Sequence, residues 1–352
     1  LWDVMRHCGP GMKLGKVLEA WGCETTKGDI DHSISKRWEE TDENRREEVK
    51  HYLKKDVIGL MEATSKMCDF YQDKYKFYIT RYITTSQASY ELWRRDIEED
   101  TVYIPTFEED SFFRQSCYGG RTYPNKKFFQ SSQYDEIIKG MIKYDDISDF
   151  INDLDIVSLY PTAMLEKYPI GEPIKTNQYM AGKMGIYNCN MRPNKKLLTP
   201  IVPRREKGQL IWDLNDCSGV WNSVDIENGL ANGYQFDIFD GVYWEKCDNV
   251  FEKTMRSFFE AKKNAVKGTP LYTVAKLYLN ALYGKNLQRP IIEDTTHITN
   301  HGELLSFVMN HNINEICDLD TESFFVQGNL RNMDTINRRV NKPTQNGSFI
   351  LS

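Results

Sequence analysis

The sequence lacks the features that mark several large classes of protein. Its 8 cysteines stand singly, without a CxxC pair or a cysteine–histidine cluster. This argues against structural zinc and a disulfide framework and favours a reducing, intracellular compartment. No unbroken apolar stretch is long enough to span a membrane, and no signal-like segment opens the chain, so we expect no membrane partner. Leu1 at the first position, where Met would be usual, indicates that the natural start lies upstream.

An excess of positive charge is also missing. Lys and Arg together number 45 against 51 Asp and Glu, which gives a formal net charge of −6. This balance argues against a nucleic-acid-binding protein, because phosphate contacts favour basic surfaces. It still allows a locally basic groove, and Lys and Arg do gather around residues 193–207 and 262–267. With 352 residues, the chain is long enough for two or more hydrophobic cores.

The pattern of apolar residues changes along the chain. Helical spacing runs through residues 36–66 and continues with aromatic residues through 68–95, and loop residues follow at 100–125. Residues 146–157 read as a strand, and residues 185–245 contain several short strand candidates. Residues 248–285 read as two helices, because the turn residues at 268–270 interrupt them. The tail from residue 286 is polar, and we expect it to be rich in loops.

One segment combines an apolar strand with a carboxylate and a tyrosine. Residues 155–161 read Asp-Ile-Val-Ser-Leu-Tyr-Pro. A carboxylate at the end of such a strand can reach solvent and substrate, and carboxylates with substrate oxygens are the ligands that Mg²⁺ prefers. Asp153 lies two positions earlier and shares a strand face with Asp155. The alternative is an ordinary strand-to-turn junction, in which Asp155 caps the turn and Tyr160 packs.

A second segment, residues 276–285, carries a polar stripe on an amphipathic helix. Lys276, Asn280, Tyr283 and Gly284 stand at i, i+4, i+7 and i+8, so they share one face. A lysine suits the charge of a triphosphate, and a glycine lets nucleic acid approach closely. The alternative is a solvated stripe on the surface of the helix.

Two shorter segments carry weaker signals. Tyr52 and Asp56 stand at i and i+4 on a predicted helix, so both could meet a metal-bound phosphate. Residues 117–121 read Cys-Tyr-Gly-Gly-Arg. Paired glycines allow the backbone to approach phosphate closely, and Arg121 adds charge. A helix-surface pair and a plain glycine turn are the respective alternatives.

Together these segments resemble family B DNA polymerases, and most closely the protein-primed members of small phages, adenoviruses, linear plasmids and related mobile elements. Residues 155–161 resemble motif A and residues 276–285 resemble motif B, and the likeness runs from about Lys13 to Ser352. It implies an α+β fold. The C-terminal part of a ribonuclease H-like exonuclease domain would occupy residues 1–98, and a linker loop and the palm, with an antiparallel sheet, residues 99–247. Helical-hairpin fingers would occupy residues 248–290, and residues 291–352 would return to the palm.

The resemblance implies roles for individual residues. Asp155 would be catalytic and, with the carbonyl of Val157, would hold Mg²⁺, one of two ions in the intact enzyme. Tyr160 would lie beneath the deoxyribose and exclude a 2′-hydroxyl. The implied nucleotide contacts are Ser158, Leu159, Tyr160, Lys262, Lys276, Asn280 and Tyr283. Lys263 remains an alternative to Lys262, and so does a solvated basic face. The implied DNA contacts are Tyr118, Gly119, Gly120, Arg121, Gly284 and Lys285.

The N-terminal third resembles the end of an exonuclease domain. Tyr52 and Asp56 match its third motif, YxxxD, and Lys27 lies in a stretch similar to the lysine-bearing segment of protein-primed members. The resemblance makes Lys27, Tyr52 and Asp56 catalytic, with Asp56 also a metal ligand. Residues 117–121 resemble the YxGG loop that touches the template, although Cys117 stands where that pattern has tyrosine.

Motif C, which should supply the second palm aspartate, is missing. The acids at 318–322 are spaced one residue too far apart, so we interpret them as a solvated acidic loop. Residues 342–351 resemble the segment before motif C, which places motif C and the thumb beyond Ser352. We expect a polymerase fragment, inactive alone, whose partners are primer–template DNA, dNTPs and a terminal priming protein. The alternative is a non-catalytic nucleic-acid- or dNTP-binding remnant, or a subunit of a split polymerase.

Overall fold

The computed structural model describes residues 3–8, 11–30, 42–121, 130–141, 143, 158–320 and 323–352. Short 3-10 helices lie at Val4–His7 and Ile79–Arg81. The helices are α1 (Leu14–Ala20), α2 (Glu43–Tyr75), α3 (Thr85–Asp96), α4 (Phe107–Gln115), α5 (Tyr134–Ile138), α6 (Leu159–Ala163), α7 (Ser223–Ala231), α8 (Glu252–Asn264), α9 (Pro270–Asn286), α10 (His301–Asn310), α11 (Met333–Arg339) and α12 (Thr344–Leu351). The strands are β1 (Tyr168–Ile170), β2 (Ile174–Thr176), β3 (Gly185–Arg192), β4 (Arg204–Glu206), β5 (Gln209–Ile211), β6 (Cys217–Asn222), β7 (Gln235–Tyr243), β8 (Lys246–Asp248), β9 (Glu293–Ile298), β10 (His311–Asp318) and β11 (Phe324–Leu330). Among the described helices, none is long and apolar enough to cross a bilayer.

The N-terminal part is dominated by one long helix. Asp42 caps α2 by accepting a hydrogen bond from the Arg45 backbone N–H at 3.1 Å, and Lys76 ends the helix in the left-handed conformation. Gly59 allows α1 to pack closely, because a Cβ there would come within 3.0 Å of Leu18. The helical pattern predicted across 68–95 is therefore divided between the end of α2 and α3.

Three helices form the centre of the main hydrophobic core. Helices α8 and α9 form the predicted pair, and Thr269 caps α9 directly before Pro270 at its first position. Trp93 of α3 stacks on Phe251, which immediately precedes α8, with ring centroids 4.8 Å apart. Tyr278 of α9 is fully buried, and its carbonyl accepts a hydrogen bond from the Ser89 hydroxyl at 3.2 Å. The buried face of α9 packs against α3 and α8, and this packing holds its opposite, exposed face in position.

A four-stranded antiparallel sheet, in the order β2-β7-β3-β6, lies in the middle of the chain. Trp221 of β6 is fully buried, and its indole N–H donates to the Pro203 carbonyl at 2.8 Å. The sheet therefore has a second core of its own. Strand formation expected within residues 185–245 is confirmed.

The tail after α9 differs from the loop-rich expectation, which was wrong. Residues 293–330 form a three-stranded antiparallel sheet, ordered β10-β11-β9, with α10 packed beside it. The sheet is small, and its core rests on Ile298, Phe307, Phe324 and Val326. Polar residues make up more than half of these strands, which hides the alternating pattern of a strand. The exposed Asp318 and Asp320 lie where β10 turns towards β11, a position that suits an acidic loop.

Candidate nucleotide and nucleic-acid site

The structure brings the end of the 155–161 segment against the 276–285 helix. Tyr160 in α6 and Tyr283 in α9 stack with ring centroids 4.1 Å apart and an interplanar angle of 23°. Both rings are half-buried, so each keeps a surface open to solvent. Asp155, Val157 and the neighbouring Asp153 lie outside the described residues. Two segments that are more than a hundred residues apart in the sequence thus meet through one aromatic contact.

The chain enters α6 through a strained residue. Ser158 has φ 55° and ψ 47°, the left-handed region that costs a non-glycine residue about 1–3 kcal/mol. The first N–H groups of a helix have no acceptor within that helix, and in α6 these are the groups of Leu159 and Tyr160. The Leu159 side chain is 49% exposed and apolar, so its backbone N–H is the group that could bind a nucleotide. The geometry suits the nucleotide contacts predicted for Ser158 and Leu159, which stay predictions.

The predicted stripe lies on the solvent face of α9. Lys276, Asn280 and Gly284 are exposed, and Tyr283 is half-buried. The opposite face, which includes Tyr278, is buried in the core. A Cβ built at Gly284 would meet nothing within 4 Å, so the fold itself does not require glycine there. The stripe is open to a ligand along its whole length, and Lys285 beside it is partly buried.

The neighbouring helix distinguishes the two lysines that the sequence left open. Lys262 is partly buried and lies one helical turn after the buried Phe258 of α8, whereas Lys263 is exposed. Because α8 packs against α9, a residue on the Phe258 side of α8 lies nearer to α9 than one on the outer face. The placement favours Lys262 over Lys263 as a basic contact beside the stripe.

A buried ion pair that sequence reasoning missed fixes the C-terminal end of α9. Arg114 in α4 binds Asp110 through two hydrogen bonds of 2.6 and 3.0 Å, and Asp110 also accepts one from Thr344. The same guanidinium donates to the carbonyls of Leu287 at 2.7 Å and Gln288 at 3.0 Å. The i, i+4 spacing of Asp110 and Arg114 could have indicated the pair, but not its reach to residues far along the chain.

The exonuclease-like residues lie together on α2 and the segment before it. The Lys27 ammonium lies 6.0 Å from the centre of the Tyr52 ring. Glu62 holds this segment in place by accepting hydrogen bonds from the backbone N–H groups of Glu24 at 2.6 Å and Thr25 at 3.1 Å. These bonds lower the pKa of Glu62 to about 2. Asp56 follows Tyr52 by one helical turn.

The glycine-containing segment at 117–121 divides into a buried and an open part. The Tyr118 ring is 4% exposed, stacks on Trp221 and donates its hydroxyl hydrogen to the Val220 carbonyl at 3.0 Å. Core packing and a hydrogen bond occupy the Tyr118 side chain, so its predicted DNA contact, which stays a prediction, would have to involve its backbone. Gly119 and Gly120 have neither a positive φ nor a neighbour within 4 Å of a built Cβ. A tight turn therefore does not require glycine at these two positions, and the backbone there is open to close approach by a ligand.

Arg121 continues this open surface. It is partly buried, its guanidinium donates to the Pro200 carbonyl at 3.3 Å, and it lies 5.7 Å from the centre of the Trp212 ring. These contacts fix its position beside the two glycines. Its predicted contact with DNA stays a prediction.

Of the three predicted metal ligands, Asp56 is the one that lies within the described residues. No group of three or more His, Cys, Asp and Glu side chains able to hold a metal occurs among the described residues, which exclude Asp155 and Val157. Asp56 Oδ1 is buried, and in the described part of the chain it accepts no hydrogen bond. A buried carboxylate oxygen without a partner is costly, so this atom fits a metal ligand.

Comparison with protein families identifies the chain. A model of organellar and viral type B DNA polymerases matches residues 26–352. The chain belongs to this family. Its relatives include a probable DNA polymerase of Agaricus bitorquis, 29% identical over 255 residues, which are 69% of this chain and 30% of the relative. Another, of Neurospora intermedia, is 23% identical over 261 residues, 68% of this chain and 24% of the relative. The chain therefore spans less than a third of the length of these two relatives.

Solved structures support the same fold. Phi29 DNA polymerase complexed with primer–template DNA and incoming nucleotide substrates aligns with a TM-score of 0.62 and 16% identity, covering 99% of this chain and 55% of that one. The phi29 enzyme complexed with single-stranded DNA gives a TM-score of 0.60, 16% identity, and coverage of 99% and 54%. These likenesses confirm a mixed fold of helices and antiparallel sheets, and the family match confirms the resemblance to type B polymerases.

Proposed function

We propose that this chain forms part of a DNA-directed DNA polymerase, which adds deoxynucleotides opposite a template. The observation that carries the proposal is the stack of Tyr160 on Tyr283, at a centroid distance of 4.1 Å. It supports a site in which Tyr160, at the end of the segment expected to carry the catalytic Asp155, lies beside the helix that bears Lys276 and Asn280. A metal-binding carboxylate, a triphosphate contact and a base contact would then share one site.

The proposed division of labour follows the order of the chain. Residues 1–98 belong to an exonuclease domain, 99–247 to a linker loop and the palm, 248–290 to the fingers and 291–352 to the returning palm. The helical pair α8–α9 supports the fingers, and the antiparallel sheet of β2, β3, β6 and β7 supports the palm. The small sheet of β9–β11 lies within the segment assigned to the returning palm.

Within the proposed site, each group has a distinct task. Lys276 and Lys262 balance the charge of the triphosphate, and Asn280 lies along the nascent base pair with Tyr283. Tyr160 lies under the sugar and rejects a 2′-hydroxyl by contact. Asp155 and the Val157 carbonyl would hold Mg²⁺ in the palm, and Asp56 would hold metal in the exonuclease site. When bound, these ions neutralise developing charge and activate the attacking oxygen.

Two further parts of the proposal concern the priming of synthesis and the cellular compartment. Priming by a terminal protein, whose hydroxyl would replace a primer 3′ end, is proposed from the resemblance of the sequence motifs to protein-primed family members. All 8 cysteines are free thiols, and this supports an intracellular, reducing compartment. The partners proposed are primer–template DNA, dNTPs and the priming protein.

The test uses the natural protein that contains this chain, a labelled primer on templates of defined sequence, and Mg²⁺. We expect extension that follows the template and falls by at least about a hundredfold in the Asp155→Ala variant. The Lys267→Ala variant, which changes an exposed lysine outside the stripe, should extend normally. Binding of dNTP that depends on Lys276 but leads to no extension would instead favour a non-catalytic remnant. Extension that ignores the template would refute the proposal.

A further inference from the structure

A basic cleft lies beside the C-terminal end of α9. It has a volume of about 600 Å³ and lies between α3, the segment that follows α9, and the segment from α11 to Lys342. Its basic lining residues are Arg94, Lys285, Arg289, Arg338, Arg339 and Lys342. Among the described lining residues, Glu91 is the one carboxylate. On a chain with a net charge of −6, such a local excess of positive charge needs an explanation.

The charges of the cleft are largely unbalanced. Arg339 binds Asp294 through hydrogen bonds of 2.8 and 2.9 Å, and Glu91 is 3.6 Å from Arg95 outside the cleft. The other five basic side chains form no ion pair within the described part of the chain. Five positive charges therefore share the cleft with Glu91, the one carboxylate among its described lining residues.

Burial and neighbouring positive charges make protonation of the lysines in the cleft less favourable. Lys342 lies 4.1 Å from the centre of the Tyr90 ring, and its ammonium donates to the Asn341 carbonyl at 3.3 Å. Burial, together with the charges of Lys285 and Arg94, lowers the pKa of Lys342 to about 8. Burial lowers the pKa of Lys285 as well. A bound anion would relieve this repulsion, and several phosphates in a row would relieve it across the whole cleft.

The position of the cleft along α9 indicates which anion it takes. Lys276 and Lys285 are nine residues apart, so they lie about 13 Å from each other along the helix. In the proposed function, Lys276 meets the triphosphate and Tyr283 the base of the incoming nucleotide. The cleft then lies beyond the base of the incoming nucleotide, on the side of the template strand that pairs with this base.

We infer that this cleft binds the phosphate backbone of the single-stranded template, through Arg94, Lys285, Arg289, Arg338 and Lys342. The inference rests on the proposed function, and it adds four side chains to the DNA contact predicted for Lys285. A concave, basic groove that follows the backbone is the usual form of a single-strand site. Its five charges come from separate segments, so they can follow successive phosphates.

The test compares DNA binding by the natural protein and by an Arg289→Gln/Arg338→Gln variant. Both arginines are exposed and form no ion pair among the described residues, so the variant should fold. The control is Arg192→Gln, an exposed arginine on β3 that pairs with Asp237 at 2.9 Å. Fluorescence anisotropy would follow a primer–template with a single-stranded template overhang and a blunt duplex with the same paired region, over a range of salt concentrations. Binding of dNTP to the protein is measured separately.

For the double variant, we expect roughly tenfold weaker binding of the overhang substrate and a salt slope that is smaller by about 1.4. Binding of the blunt duplex and of dNTP should stay within about twofold, as should all binding by Arg192→Gln. Unchanged binding of the overhang substrate, an equal loss on both DNAs, or a loss confined to dNTP would each overturn the inference. If the unmodified protein binds neither DNA nor dNTP, the proposed function itself fails. That outcome is distinct from normal DNA binding that ignores the cleft variant.

Discussion

Tyr160 and Tyr283 stack nearly parallel, with 4.1 Å between their ring centroids, where α6 meets α9. Each ring limits the movement of the other, because both are half-buried and their helices pack together. In the proposed site, Tyr160 contacts the sugar and Tyr283 the base of one nucleotide. Discrimination at the sugar should therefore depend on a residue that does not touch the sugar.

We predict that Tyr283→Leu weakens rejection of ribonucleotides, although the change lies on the base side. Loss of the supporting ring should cost about 1 kcal/mol of discrimination, roughly a fivefold change in the ratio of kcat/KM for dNTP to that for rNTP. Tyr160→Ala should lower the ratio further, and Tyr283→Phe, which keeps the ring, should preserve it. Single-nucleotide incorporation kinetics measure all three. An unchanged ratio in Tyr283→Leu would mean that Tyr160 needs no support from its neighbour.

The sequence predicted those parts of the site that depend on local spacing. The α9 stripe follows from helical periodicity alone, and the α8–α9 pair follows from the turn residues at 268–270. The stack of Tyr160 on Tyr283 could not be read from spacing, because it depends on how two distant helices pack. The basic cleft was missed for the same reason, since Arg94 and Lys342 are distant in sequence and form no charged run.

The structure departs from the sequence-based expectation where local chemistry has two structural solutions. Tyr118 beside two glycines suggested an exposed contact, but its ring fills a gap against Trp221 in the core. Residues 293–330 looked like loops because a small sheet with one buried face keeps most of its side chains polar. In both cases tertiary packing, which the local sequence does not encode, decided the result.

Lys262 and Lys263 provide a matched pair of variants. Because Lys262 is partly buried on the Phe258 side of α8, we predict that Lys262→Ala raises the KM for dNTP by roughly tenfold, the effect of losing one charge-assisted hydrogen bond. Lys263→Ala should change it by less than about twofold, because an exposed charge contributes little. Steady-state extension with varied dNTP measures both. Equal effects of the two variants would contradict the orientation inferred for α8.

The pair of Asp110 and Arg114 should be essential for stability. We predict that Arg114→Met lowers the free energy of unfolding by about 3–5 kcal/mol, because it leaves the buried Asp110 carboxylate without its partner. Urea unfolding monitored by circular dichroism measures the change. Adding Asp110→Asn should recover part of the loss, since the buried charge is then removed.

An exposed ion pair provides the control for that experiment. Arg256 and Glu252 have the same i, i+4 spacing on α8, at 2.7 Å, but their side chains are 63% and 36% exposed. Arg256→Met should therefore cost at most about 1 kcal/mol. If Arg114→Met cost no more than this control, Arg114 would not be the residue that anchors the end of α9.

The exonuclease-like residues make a separate prediction. In the natural protein, Asp56→Ala should reduce removal of 3′ nucleotides from single-stranded DNA by about a hundredfold, because the unpartnered Oδ1 is a proposed metal ligand. Primer extension should continue at its normal rate. Asp69→Ala, which removes an exposed carboxylate more than three turns further along the same helix, is the control and should retain both activities. Loss of extension together with exonuclease activity would indicate a structural role for Asp56.

Lys342 should make DNA binding dependent on pH above neutrality. Burial, Lys285 and Arg94 lower its pKa to about 8, Glu91 opposes that shift, and the Tyr90 ring lies against the ammonium. Phosphate favours the charged form, so a bound backbone should raise this pKa again and binding should take up a proton. If the pKa returns to its usual range, affinity for the overhang substrate should fall roughly tenfold between pH 7 and pH 9.

Calorimetry measures this proton directly. Titrations at pH 8 in two buffers with different ionisation enthalpies should show uptake of about half a proton per DNA bound, the fraction of Lys342 that is neutral at its own pKa. The Lys342→Gln variant should lose both the uptake and the steep fall in affinity, while Arg192→Gln should keep them. The other four side chains assigned to the cleft are three arginines and Lys285, whose pKa is shifted less than that of Lys342. None of them would therefore replace the proton uptake lost in the variant. Equal heats in both buffers would show that DNA binding does not change the protonation of Lys342, and would contradict this prediction.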